Sequence, residues 1–407
     1  MDHGEIKQMP QRSRFRSIFF SILVVSLSLA FCFVVLEFLL GRILFANLDG
    51  NVDTQFDSDV GWMYVPGDYQ IRADDSLIPH NIHINEYGLR GQVELAPDAR
   101  GGSSRRILVL GDSFTFAKVV QDEEIYTSQL QSILNQDSET MHSVFNAGVE
   151  GFGTAQQLRL MERLVRSGVN GDLVILQVFT NDILDNLRIV YREKTESLAR
   201  PGYVINAAGQ LELDHLPEDP NKSRNRKGKK EGFYTIKVTR SIIESSIQSR
   251  PGLLKFLRSL GLNPKIPRMP GLLNGWYDEE IVASGVPLMR ELIREIQSQA
   301  EQQQARLLVV LIPSPFMVYP DTYGPMLKGT FPDDPSVDMF LSDIARPQTY
   351  LARICTELNV PYLDLYPILT DNAAQALYFP REGHFTKVGH AVTAEALARK
   401  IQELGLE

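Results

Sequence analysis

The sequence predicts an α/β fold built on a parallel sheet, preceded by one membrane-spanning helix and interrupted by a long insertion. Three observations predict it. Short apolar runs such as Arg106-Ile107-Leu108-Val109-Leu110 and Leu173-Val174-Ile175-Leu176-Gln177-Val178-Phe179 read as buried strands. Stretches with helical spacing of apolar residues lie between them, and alternating β and α units imply a parallel sheet with helices on both faces. The stretch from Ser17 to Leu36 carries no charge and is dominated by Phe, Leu, Val and Ile.

That first stretch has the length of a bilayer span, about 20 apolar residues. Lys7, Arg12, Arg14 and Arg16 precede it and only Arg42 follows closely. The positive-inside rule then makes residues 1–16 a cytoplasmic tail and 17–46 the anchor, and puts the rest outside the cytoplasm. That compartment is the periplasm if the source has two membranes. A cleaved signal peptide has a shorter apolar core, about 7–15 residues, and a small-residue cleavage site. Leu36-Glu37-Phe38-Leu39-Leu40-Gly41-Arg42 offers no such site.

Residues 47–104 form a lead-in rich in Gly, Asp, Asn and Pro, with aromatics in Gly61-Trp62-Met63-Tyr64-Val65-Pro66. Tyr69-Gln70-Ile71-Arg72 and Asn81-Ile82-His83-Ile84-Asn85 alternate as short strands do. The main domain is expected over 105–407. Its strands are expected at 106–110, 144–146, 173–179, 306–312 and 361–364. Helices are expected at 123–135, 154–167, 287–304, 347–358 and 386–404.

An insertion at about 185–283 follows the third strand. A segment there lies beside the ligand crevice of an open α/β sheet, so it is a candidate cap. Its basic run, Lys222-Ser223-Arg224-Asn225-Arg226-Lys227-Gly228-Lys229-Lys230, reads either as a solvated loop or as a contact for anionic lipid.

A formal charge of −9 argues against a nucleic-acid partner. Two cysteines, Cys32 and Cys355, build neither a disulfide framework nor a cysteine metal site. His80 and His83 make half a metal site at most, and neither a metal nor another cofactor is expected.

Gly111-Asp112-Ser113 follows the first strand of the expected sheet, where ligands bind in this architecture. Ser113 reads either as a nucleophile or as a helix N-cap. Tyr378-Phe379-Pro380-Arg381-Glu382-Gly383-His384-Phe385-Thr386 supplies what a nucleophile needs. His384 can serve as its base, and Glu382 can orient the ring and stabilise the imidazolium. His390 falls in the following helix and is expected to pack. Gly151 after the second strand and Asn181 after the third offer a backbone N–H and a side-chain amide. With the Ser113 N–H they make a three-donor oxyanion hole. Arg381 and Asp112 are candidate substrate contacts.

Ser113, Gly151, Asn181 and His384 occur in the order and strand-end context of the four blocks of the SGNH (GDSL) hydrolase superfamily, which the chain resembles. The likeness extends to bacterial membrane-anchored members. It covers roughly residues 105–185 and 305–402, with the lead-in from Gly61 to Arg90 also similar. The resemblance implies a flavodoxin-like five-stranded sheet flanked by helices, and esterase, lipase, deacetylase or sugar O-acetyltransferase chemistry. Three positions depart from the pattern. Phe179 stands where the third block has glycine, Glu382 where the acid is usually Asp, and Thr386 where relatives often have Asn. Asp364 is the other candidate acid.

Three functions are therefore expected in descending order. The first is a serine esterase acting at the outer face of the membrane on an acylated glycan or lipid. The second is an O-acetyltransferase that passes the same acyl group to a sugar hydroxyl of a cell-envelope or exported polysaccharide. The third is a non-catalytic glycan- or lipid-binding module, for which only the Asp-to-Glu change speaks.

Overall fold

The computed structural model describes residues 11–40, 52–71, 80–91, 104–136, 138–187, 199–219, 275–331, 334–380 and 383–406. The chain divides into two units, residues 1–49 with 228–246, and 50–227 with 247–407. In the first unit, α1 (Gln11–Leu40) is apolar on every side from Ile18 to Leu36. Its segment Ile18–Leu39, 22 residues with mean hydropathy 2.8, is long and apolar enough to cross a membrane.

The second unit opens with two antiparallel hairpins. The first pairs β1 (Thr54–Asp57) with β2 (Gly61–Tyr64), and the second pairs β3 (Gly67–Ile71) with β4 (His80–Ile84). Both strands expected in the lead-in are present; the first hairpin is additional. The βα rhythm then begins with β5 (Ser104–Gly111), α2 (Ser113–Phe116), a 3-10 turn (Asp122–Glu124), α3 (Tyr126–Asn135) and β6 (Met141–Gly148). It continues with α4 (Thr154–Arg166), β7 (Leu173–Phe179) and α5 (Asp182–Leu187). A small hairpin, β8 (Gly202–Ile205) with β9 (Leu211–His215), stands in the insertion. After α6 (Glu279–Gln302) come β10 (Arg306–Ile312), α7 (Pro315–Val318), α8 (Pro320–Thr330), α9 (Pro335–Ser342) and α10 (Arg346–Leu358). The chain closes with β11 (Tyr362–Asp364), α11 (Leu365–Asp371) and α12 (Lys387–Glu403).

The sheet has five strands in the order β11-β10-β7-β5-β6, all parallel. This is the flavodoxin-like order, in which the chain reverses its winding beside the first strand. The central parts of β5, β7 and β10 are largely apolar because both faces are covered. Leu108 and Leu110 of β5 point into one core with Leu158 of α4 and Leu292 of α6. Ile107 and Val109 point into the other with Leu130 of α3 and Leu397 of α12.

Two helix starts depart from expectation: α3 begins at Tyr126, after the 3-10 turn Asp122–Glu124, and not at 123, and α6 begins ahead of Pro287. Pro287 was expected to open α6, but it lies inside the helix, which begins at Glu279. Asp278 caps that earlier start by accepting from the N–H groups of Glu280 and Ile281. The basic run at 222–230 lies outside the described residues.

The register brings Gly111 of β5 opposite Gly148 of β6, and Ile312 of β10 opposite Phe179 of β7. The strands thus end nearly level, and the loops carrying Ser113, Gly151 and Asn181 all leave from one edge of the sheet.

Candidate active site

At the end of β5, a side chain on Gly111 would overlap the Thr115 hydroxyl and the Gln177 amide. Glycine therefore lets α2 fold back against β7. Gln177 Oε1 accepts from the Asp112 N–H at 3.0 Å and from the Thr115 hydroxyl at 2.9 Å. Asp112 is the N-cap of α2 and accepts from the Phe114 N–H at 2.9 Å. Ser113 is the first residue of the helix, so it is not the cap. Its Oγ lies 2.8 Å from His384 Nε2.

His384 is presented by a tight loop. Tyr378 and Phe385 form an antiparallel bridge. The Phe379 N–H donates to the His384 carbonyl and the Gly383 N–H to the Phe379 carbonyl, both at 2.8 Å. Gly383 has φ +73°, a left-handed conformation that glycine adopts without strain. The Tyr378 hydroxyl ties the loop to the end of β10 by donating to the Pro313 carbonyl at 2.7 Å. Thr386 ends the loop as the N-cap of α12, accepting from the N–H groups of Val388 and Gly389. The Phe114 ring packs 5.0 Å from the imidazole.

Gly151 sits in the turn after β6, held near α2 by the Val149 N–H donating to the Gly111 carbonyl at 3.1 Å. Its φ is +75°. Asn181 follows β7, and its main-chain carbonyl accepts from the N–H groups of Leu184 and Asp185 in α5. Asn181 is partly buried, and its side-chain Oδ1, itself buried, has no hydrogen-bond partner among the described residues. The structure thus brings Ser113 and His384 into contact and sets Gly151 and Asn181 after β6 and β7, the two strands that flank β5. Glu382 and Arg381 lie outside the described residues.

Asp112, expected at the substrate, is only 2% exposed, and its carboxylate is engaged in the helix cap. Burial pushes its pKa up to about 7; the Phe114 N–H, His384 and Gln177 oppose the rise and Asp185 adds to it. Asp182 is also buried and raised, first by desolvation and then by Asp112 and Asp185, while the Thr154 hydroxyl donates to it at 2.9 Å. His390 packs as expected. It accepts from the Tyr126 N–H at 3.3 Å, and burial lowers its pKa to about 3.

Several contributors were not expected from the sequence. Arg90, at the end of the lead-in, is buried. It donates to the carbonyls of Phe116, Ala117 and Val120 and to Asp122. It therefore clamps the turn that leaves α2. Trp62 and Arg200 engage the Gly151 turn. None of these carries a motif, because their partners are mainly backbone carbonyls distant in sequence.

The site is a flavodoxin-like α/β sheet with Ser113 and His384 in contact at its carboxyl edge. The sequence model of the GDSL-like lipase/acylhydrolase family matches residues 109–392, and the chain belongs to that family. No curated protein matches the chain. Among solved structures it is similar to TesA, at 13% identity and TM-score 0.37, with 74% of this chain and 99% of that one covered. It is similar to the psychrotrophic esterase EstA from Pseudoalteromonas sp., at 13% identity and TM-score 0.35, covering 74% and 100%. It is also similar to a catalytic mutant of Axe2, an acetylxylan esterase from Geobacillus stearothermophilus, at 14% identity and TM-score 0.36, covering 74% and 96%.

Proposed function

We propose that this ester hydrolase works through an acyl-enzyme on Ser113. The observation that carries the reading is the 2.8 Å separation of Ser113 Oγ from His384 Nε2. That is hydrogen-bond reach for a base acting on a hydroxyl. Ser113 Oγ attacks the ester carbonyl carbon while its proton passes to His384 Nε2. The carbonyl oxygen becomes an oxyanion, held by the N–H groups of Ser113 and Gly151 and the side-chain amide of Asn181. Collapse breaks the bond to the alcohol, which leaves with the proton from His384. Water then gives a proton to His384 and attacks the acyl group, and the second collapse returns that proton to Ser113. Glu382, two residues before His384, orients the ring and stabilises its charged form.

The chain is anchored by Ile18–Leu39, with Lys7, Arg12, Arg14 and Arg16 on the cytoplasmic side and the catalytic unit outside. Acyl groups on envelope glycans or lipids are the substrates within its reach.

The test is hydrolysis of short p-nitrophenyl acyl esters by the full chain in detergent, with Ser113→Ala as control. Release of p-nitrophenol that depends on Ser113 supports the reading. Equal release by the variant would overturn the nucleophile assignment. Release that requires an added sugar acceptor would replace water with a hydroxyl in the second step, making the enzyme a transferase.

A further inference from the structure

The Gly151 turn is held by side chains from outside the βα core. Two peptide planes meet at the Gly151 Cα. The first runs from the Glu150 carbonyl to the Gly151 N–H, and in a planar trans peptide these two groups point in opposite directions. Trp62 Nε1 donates to that carbonyl at 3.3 Å. The second plane begins at the Gly151 carbonyl, which accepts from Arg200 Nη1 at 2.6 Å. The Glu150 N–H, one peptide earlier, donates to the Tyr64 hydroxyl at 3.0 Å.

Trp62 and Arg200 are also joined to each other. The guanidinium lies 4.8 Å from the centre of the indole ring, within cation–π range. It is fixed further by Gln156 Oε1 at 2.7 Å and by the Asp185 carboxylate at 3.7 Å. The neighbouring residues are closely fitted. A side chain on Gly61 would overlap the Ala199 carbonyl, so the lead-in and the insertion meet at backbone distance there. Gly151 itself, at φ +75°, has a conformation that few other residues adopt.

We propose that Trp62 and Arg200 are positioning residues that set the direction of the Gly151 N–H as an oxyanion donor. This inference rests on the acyl-enzyme reading above. Trp62 holds the carbonyl end of the peptide whose other end is the donor. A hydrogen bond to that carbonyl also polarises the N–H, which strengthens it as a donor. Arg200 fixes the next plane, so the turn cannot rotate about Gly151. The lead-in and the insertion thereby complete the site.

The variants are Trp62→Phe, Arg200→Met and Arg200→Lys in the full chain. The readouts are kcat and KM on a p-nitrophenyl ester, thermal midpoint, and the rate at which a fluorophosphonate labels Ser113. The phosphonyl oxygen of that probe occupies the oxyanion position. Trp62→Phe keeps a ring and loses the N–H. It should lower kcat and the labelling rate about tenfold, less than the ~10²–10³ seen when an oxyanion donor is removed outright. KM and thermal midpoint should change little. Arg200→Met should lose more, and Arg200→Lys should recover part of it. Labelling and kcat within twofold of the parent, or losses that only follow a falling thermal midpoint, would overturn the positioning role alone. A parent protein that is not labelled at Ser113 would overturn the nucleophile reading and this inference with it.

Discussion

Ser113 Oγ and His384 Nε2 stand 2.8 Å apart although 271 residues separate them in the chain. Two independent tethers fix that distance. Gln177 of β7 holds the backbone before Ser113 through the Asp112 N–H. Tyr378 holds the histidine loop to the end of β10. Strands β7 and β10 are adjacent and paired along their length, so the sheet itself carries the alignment.

If the pair acts as one proton-transfer unit, removing either member should cost the same. Ser113→Ala and His384→Ala should each lower kcat by about 10⁶-fold, and the double variant should lose little more. Steady-state rates for all three, with circular dichroism to verify folding, test this. Additive losses would mean that the two groups act separately.

Glu382 is proposed to orient His384 from two residues away. Glu382→Gln keeps the size and removes the charge, so it should cost about 10⁴-fold in kcat, as loss of the orienting carboxylate does in serine hydrolases. Glu382→Asp should retain more of the rate because the charge remains. A Gln variant with a rate near that of the parent would pass the role to another acid, and Asp364→Asn would then be the variant to measure.

Arg90 contributes to stability through a buried charge. Its side chain is 0% exposed in the ion pair with Asp122, and its other donors satisfy three backbone carbonyls. Burial lowers its pKa, with Asp122 opposing that shift. Arg90→Ala would leave those acceptors unpaired and should cost about 3–5 kcal/mol, the range for breaking a buried pair. Urea denaturation of the full chain in detergent measures it. A loss below about 1 kcal/mol would mean that water replaces the guanidinium without penalty.

The parts of this fold that the sequence shows are those governed by local pattern. β7 and β10 span the residues expected for them, because a strand covered on both faces shows as a nearly unbroken apolar run. Ser113 and His384 are visible because each sits in a short block with its own turn residues. α2 is too short, at 4 residues, to show helical spacing. It forms because Gly111 and Gly148 leave room for it against β7 and β6. Arg90, Trp62 and Arg200 are silent in sequence for a related reason. Their hydrogen bonds go mostly to carbonyls, which every residue has, so the residue type of the partner carries no signal. Asp112 is the opposite case: a carboxylate next to a candidate nucleophile reads as a substrate contact, whereas its burial in the helix cap shows only in the fold.

That burial gives stability a definite pH dependence. The Asp112 pKa is raised to about 7, chiefly by desolvation, against an ordinary value of 3.8. Between these values the folded protein holds a proton that the unfolded chain has released. Stability therefore falls as pH rises through that window and levels off above about pH 7. A shift of this size corresponds to up to about 4 kcal/mol. Asp112→Asn keeps the cap on the Phe114 N–H, since asparagine is an equally good N-cap, and it removes the titration. The stability of Asp112→Asn relative to the parent should rise steadily from about pH 4 to 7 and then stay constant. Any fixed cost of burying the new amide shifts that curve without changing its slope. Urea midpoints of both proteins across the range provide the measurement. Parallel profiles would mean that Asp112 keeps its charge in the folded protein, with the proton held instead by Asp182, whose pKa is raised by the same burial and by Asp112 and Asp185 beside it.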